Sequence, residues 1–232
     1  MSWSCVCNKA NEDEVLQCIN CGRKKPKYLG VKLEVSTDKM EAEQKAVWYL
    51  KIAFDCLQDA QNTYVYHEKE RTFIHDIKNE EVKGAKNSIV TNCNRCFTMV
   101  DKAIQFAPNP QFQDSDNRIQ DTASIKSACY FLLGQLHFDL KDYGEAIKYY
   151  QNSYDADPNQ VSIYNIAMAT IQLPVEGTSL FGGKKNEIAK ENKRQQEIDL
   201  LVKTIKFLPF SDIAIKSGRI LIEKYGLEDI EI

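Results

Sequence analysis

From about residue 38 onward, apolar residues recur at three- and four-residue intervals, the period that gives a helix one buried stripe and one wet face. The clearest stretch holds Tyr130, Leu132, Leu133 and Leu136, then a polar break near residues 141–143, then Ala146, Ile147, Tyr150 and Ser153 before Pro158. Two antiparallel helices joined by a short turn fit that pattern. Pro158 stops the second, because its ring cannot continue the helical hydrogen bonds. Similar stripes run over residues 42–66, 96–106 (closed by Pro108), 164–171 and 196–208 (closed by Pro209). A final helix is predicted over residues 211–225, with Ser211 as N-cap and Gly226 just beyond its end.

The pair spanning residues 130–158 resembles the tetratricopeptide repeat, a family of helix–turn–helix units of about 34 residues that stack into a curved solenoid. Tyr130 opens the first helix, Leu133 and Gly134 follow, Ala146 and Ser153 supply small contacts, and Tyr150 supplies the aromatic. His137 stands where an aromatic is usual. The resemblance implies neighbours, since one such hairpin cannot bury its own apolar face. The segments pair naturally as 42–66 with 96–106 and 164–171 with 196–208. The last pair carries an insertion whose natural loop is Gly-rich residues 174–185, and polar residues 111–126 hold the excess between Pro108 and Pro158. Insertions of this size are expected to fill the groove of the array or to dock other subunits.

Residues 1–30 read differently. Cys5, Cys7, Cys18 and Cys21 form two close pairs separated by a ten-residue loop, and four thiolates so spaced can close a tetrahedral Zn(II) site. A finger this short has too little core to fold alone, and structural zinc supplies roughly 10–16 kcal/mol of the missing stability. Lys9, Arg23, Lys24 and Lys25 lie close enough in sequence to offset the negative charge of zinc with four thiolates.

This stretch resembles the zinc finger of the Ran-binding-protein type, a small β-hairpin ribbon with a leading Trp, two Cys pairs and an Asn between them. Trp3, Cys5, Cys7, Asn11, Cys18 and Cys21 hold those places. The first pair is Cys-x-Cys, one residue shorter than usual in the family, so its knuckle is tighter. Members bind single-stranded RNA, ubiquitin or a small GTPase through further residues, and none of these activities carries over. Glu12, Glu14 and Val15 stand where RNA binders have an aromatic and two arginines, and carboxylates there repel phosphate. Asn8 and Lys9 replace the Thr-Phe or Leu-Val that follow the second Cys in the other two groups. The basic run Arg23, Lys24, Lys25 and Lys27 offers a contact for an acidic partner or phosphate, although a solvated linker is the preferred reading.

The fold expected is mostly α: a zinc ribbon over 1–30, a linker over 31–37, and an α-solenoid over 38–232 of about three repeat-like hairpins with insertions and a capping helix. A net charge of −3 gives no general attraction to nucleic acid or anionic lipid. No apolar run reaches the roughly 18 residues of a membrane span. The N-terminal sequence lacks the features of a cleavable presequence. The eight cysteines without a secretion signal favour thiols and metal over disulfides, hence a reducing intracellular compartment such as the cytoplasm or mitochondrion.

Catalytic patterns fail on inspection. Residues 177–185 lack the Gly-Lys-Ser/Thr order of a phosphate loop and follow a helix instead of a strand. Cys93 and Cys96 share a helix face but have no second pair near in sequence, so Cys96 is expected simply to be buried. His67 and His75 fall in charged sequence, and His137 occupies a packing position. The expectation is a non-catalytic scaffold or accessory subunit with one structural zinc, bound to other protein subunits and to no small-molecule substrate. The alternatives are an RNA-associated factor using Trp3, Arg23, Lys24 and the basic residues 184–194, or a soluble co-chaperone that takes a peptide in its groove.

Overall fold

The computed structural model describes residues 2–4, 10–12, 40–69, 80–175 and 183–227. At the N-terminus, β1 (Ser2–Ser4) pairs antiparallel with β2 (Ala10–Glu12), with Trp3 opposite Asn11 and Ser4 opposite Ala10. Seven helices among the described residues make up the rest: α1 (Ala42–Lys69), α2 (Glu80–Phe106), α3 (Thr122–Asp139), α4 (Tyr143–Ala156), α5 (Gln160–Gln172), α6 (Gly183–Phe207) and α7 (Asp212–Tyr225). A small antiparallel hairpin, β3 (Gln111–Gln113) with β4 (Ile119–Asp121), lies between α2 and α3.

The helices pack in chain order. α1 packs on α2, α3 on α4 and α5 on α6 as antiparallel hairpins, while α2 meets α3, α4 meets α5 and α6 meets α7 between them. First helices also touch, α1 with α3 and α5 with α7, so the array is continuous. The apolar stripe of α2 runs Val82, Ala85, Ile89, Cys93, Cys96, Val100 and Ala103, all buried against α1 and α3. Ala146, Tyr150, Ile166 and Ala169 fill the space between the central hairpin and α5. Leu201, Ile205, Ala214 and Leu221 close the far end. Each Leu or Ile so buried stabilises the fold by about 1.5–3 kcal/mol.

Local signals set the helix ends. Asp121 caps α3 by accepting from Ser124 N at 2.8 Å, and the Ser124 hydroxyl accepts in turn from Asp121 N at 3.0 Å. Asn159 caps α5 through Ser162 N, and Ser211 caps α7 through Ala214 N. Gly226 ends α7 in the left-handed region at φ 69°, with its N–H on Ile222 O and the Leu227 N–H on Leu221 O. Asp142 precedes α4 but makes no side-chain cap bond; its carboxylate faces His137 Nδ1 at 3.1 Å instead. His137 also packs on the Tyr149 ring, with centroids 5.2 Å apart, in the place of the usual aromatic.

Three expectations change. The second helix of the first hairpin begins at Glu80 rather than near residue 96, so residues 80–95, between the two predicted stripes, are helix as well. The polar segment 111–126 folds as β3–β4 and the first turn of α3, and it neither fills the groove nor loops freely. Asp114 organises the hairpin tip, accepting from the Asp116 and Arg118 N–H groups, the Arg118 guanidinium and Gln120. Finally, the excess in the last hairpin is largely an N-terminal extension of α6, which starts at Gly183 rather than near 196. Residues 176–182 of the expected loop lie outside the described residues.

Candidate functional site

The first helices of the three hairpins line a groove of about 760 Å³. Gln61, Asn62 and Val65 face it from α1, Phe131 and Gln135 from α3, and Val161 from the start of α5. Val65 and Val161, on walls contributed by α1 and α5, are 43% and 40% exposed. At its floor Ser127, Ser153 and Ser162 form a buried chain of hydroxyls: Ser127 Oγ to Ser153 Oγ at 3.0 Å, and Ser162 Oγ to Ser153 Oγ at 2.9 Å. That chain links α3, α4 and α5. Among the described residues lining the groove, Asp157 is the only formally charged one. The surface therefore offers amides, hydroxyls and small apolar contacts, which suit the backbone and neutral side chains of a peptide. Its described residues supply no ammonium or guanidinium to neutralise a terminal carboxylate.

On the other side, α4, α5 and α6 enclose a cleft of about 950 Å³. Its walls are Ile147 and Gln151, Ile166 and Thr170, and Gln196 with Leu200, and Lys193, Asp199 and Lys203 bring both signs of charge. Lys203 is spoken for in part, since its ammonium lies 4.6 Å from the centre of the Tyr154 ring.

Two buried polar groups, neither foreseen from sequence, hold the elements around these surfaces. Glu197 of α6, 4% exposed, meets Lys193 Nζ at 2.9 Å and Lys224 Nζ at 3.0 Å, and accepts from the Tyr225 hydroxyl. Burial pushes its carboxyl up, but the bonds from Tyr225, Lys193 and Lys224 more than reverse this and hold it below its ordinary value. Arg194 donates to Tyr225 O at 3.2 Å. Arg194, one of the basic residues in the 184–194 stretch, thus ties α6 to α7, while Lys193 pairs with Glu197 of its own helix and donates to Ile171 O of α5. Gln160, in the first turn of α5, donates to Thr204 O at 2.7 Å and Leu208 O at 3.0 Å and accepts from Ser211 Oγ at 2.7 Å. No periodicity marks either residue; only the tertiary packing shows them.

The cysteines of the body gather. Cys56, Cys93, Cys96 and Cys129 are all free and buried. Cys93 and Cys96 are buried, as expected of Cys96, and Cys129 of α3, distant in sequence, lies in hydrogen-bonding range of both. Those two thiols, and then burial, push the Cys129 thiol far above its ordinary value, while burial pushes Cys56 up to about 12. Thiols held protonated this way are poor nucleophiles and poor metal ligands. Among the described residues no cluster of His, Cys, Asp or Glu is arranged to hold a metal ion.

Trp3 and Asn11 are brought opposite one another in the β1–β2 ladder. Cys5, Cys7, Cys18 and Cys21 lie outside the described residues, as do Arg23, Lys24, Lys25 and Lys27. No described helix is long and apolar enough to cross a membrane. Residues 127–160, covering most of α3, all of α4 and the first residue of α5, match the tetratricopeptide repeat family. No curated protein and no solved structure matches the chain.

Proposed function

We propose that this chain is a non-catalytic scaffold or accessory subunit that binds other proteins through its helical array and through an N-terminal zinc ribbon. The observation that carries the reading is the groove across α1, α3 and α5, with exposed Val65 and Val161 on the walls from α1 and α5 and neutral amides between them. Such walls fit a protein segment and give no purchase on a phosphate chain. The matched repeat adds to this, since tetratricopeptide units serve as protein-docking modules. The co-chaperone alternative is disfavoured by the one formal charge among the groove's described lining residues, Asp157, which is negative. The RNA alternative loses Arg194 to the α6–α7 junction and Lys193 to Glu197 and Ile171 O within the array.

Within the same reading, Cys5, Cys7, Cys18 and Cys21 hold one structural zinc ion. The β1–β2 register supports the fit: Ser4 pairs with Ala10, so Cys5 and Cys7 fall in sequence between two hydrogen-bonded strands, as a metal knuckle requires. The ion would supply folding energy to the ribbon. The four free thiols of the body support a reducing compartment inside the cell.

The experiment is native purification from the source cell, with mass spectrometry of co-eluting proteins and zinc measured in the same fraction. Stoichiometric co-elution in a larger particle with about one zinc per chain is the expected result. A free monomer would discard the subunit reading.

A further inference from the structure

Three carboxamides in the groove have no hydrogen-bond partner within the described chain. Gln61 and Asn62 stand exposed on α1, and Gln135 is partly buried on α3. Each carries donors and an acceptor on one planar group, the same pairing of N–H and C=O that a peptide unit presents. A docked helix has already spent its main chain on itself. Seating one here would strip water from the three amides and give them nothing in return. An extended segment instead arrives with free N–H and C=O groups along its length.

Charge narrows the occupant further. Asp157, the C-cap of α4, is exposed, and no described residue pairs with its carboxylate. It lines the groove a few residues before Val161, where the wall turns apolar. A cation in a bound segment is attracted there, whereas a phosphate or a terminal carboxylate is repelled.

We infer that the groove takes an internal, extended protein segment, held by main-chain hydrogen bonds to Gln61, Asn62 and Gln135 and selected by a Lys or Arg that pairs with Asp157. This rests on the docking reading above and adds to it the conformation and the charge of the partner.

The test is selection on the full chain from a phage library of random dodecapeptides, each joined at both ends to coat protein so that no terminus is free. Binders that survive Val65→Glu or Val161→Glu do not use the groove and are discarded. Both valines are exposed, so these variants should fold, and circular dichroism checks it. The groove binders should be enriched in Lys or Arg at one position. Asp157→Lys should weaken them roughly three- to tenfold at low salt. A fresh selection on that variant should move the preference to Asp or Glu. If Asp157→Lys fails to fold, Asp157→Asn removes the charge alone and should weaken them about twofold. Gln135→Leu should weaken the same binders. Groove binders indifferent to the charge at position 157, or tightened by Gln135→Leu as a docked apolar helix would be, overturn the inference and leave the docking reading standing. No groove binder at all overturns both. Groove-dependent binding of an oligouridylate would overturn both in favour of RNA.

Discussion

Gly134 and Tyr150 are in direct contact: a Cβ added to Gly134 would stand 2.6 Å from both Cδ1 and Cε1 of the Tyr150 ring. The ring is 1% exposed and cannot swing clear. Gly134→Ala gains about 1 kcal/mol of helix propensity but must displace packed atoms at about 1–3 kcal/mol. A net loss of about 1 kcal/mol in urea unfolding is expected. Gly84→Ala in α2, where nothing lies within 4 Å, is the control and should stabilise by about 0.5–1 kcal/mol. Equal gains at both sites would mean that α3 and α4 lie further apart than described.

Gln160 makes a sharper prediction than its size suggests. Gln160→Leu leaves two carbonyls and the Ser211 hydroxyl without their partner and should cost about 2–3 kcal/mol. Gln160→Glu should cost more, because a carboxylate cannot donate to Thr204 O or Leu208 O. Thermal unfolding of the two variants decides it, and a milder effect for Glu than for Leu would count against the bonding pattern.

The Glu197 carboxyl gives stability a pH dependence. Its value in the folded protein lies below the ordinary 4.5, so its contribution is complete above 4.5 and is lost as pH falls through the folded value. Glu197→Gln leaves Lys193 and Lys224 without their counter-charge and should cost about 2–3 kcal/mol at neutral pH. The gap between variant and wild type should close as the pH drops from above 4.5 through the lowered folded value. Urea titrations across that range measure it; a constant gap would show that the charge on Glu197 does not matter.

Thiol chemistry separates the two parts of the chain. Cys56, Cys93, Cys96 and Cys129 should resist alkylation at neutral pH until denaturant is added, since all four are buried away from the reagent and the Cys56 and Cys129 thiols are pushed above their ordinary value. Cys5, Cys7, Cys18 and Cys21 should be protected by zinc and become reactive when a chelator removes it. Chelation should leave the helical unfolding transition in place. Peptide mapping of alkylated sites before and after chelation reads both outcomes, and fast labelling of Cys129 in the native protein would contradict its placement.

The elements with local signals were legible from sequence. Ser211 and Gly226 bracket α7 as expected because capping is decided by a few neighbouring residues. The missed half of α2 did have a stripe, Val82, Ala85 and Ile89, but Glu80, Glu81, Lys83 and Lys86 around it lower its contrast. The first turns of α6 had almost none: Ile188 is largely exposed, and that part of the helix owes little to burial. Strands of three residues such as Gln111–Gln113 fall below any period a sequence can display. The helices lining the groove followed from the repeat pattern, whereas Gln160, Glu197 and the approach of Cys129 to Cys93 depend on contacts distant in sequence.

The serine hydroxyls under the groove have a further consequence. Apolar faces tolerate sliding and rotation, since any fit that excludes water is nearly as good as another. Hydroxyls joined in a chain are satisfied only at one spacing, so Ser127, Ser153 and Ser162 act as a gauge that sets how far α3, α4 and α5 turn about one another. The width of the groove above them is then written in three of the smallest side chains in the array. Exchanging all three for alanine would leave a folded protein whose groove no longer has a fixed calibre, and selectivity would fade before stability did.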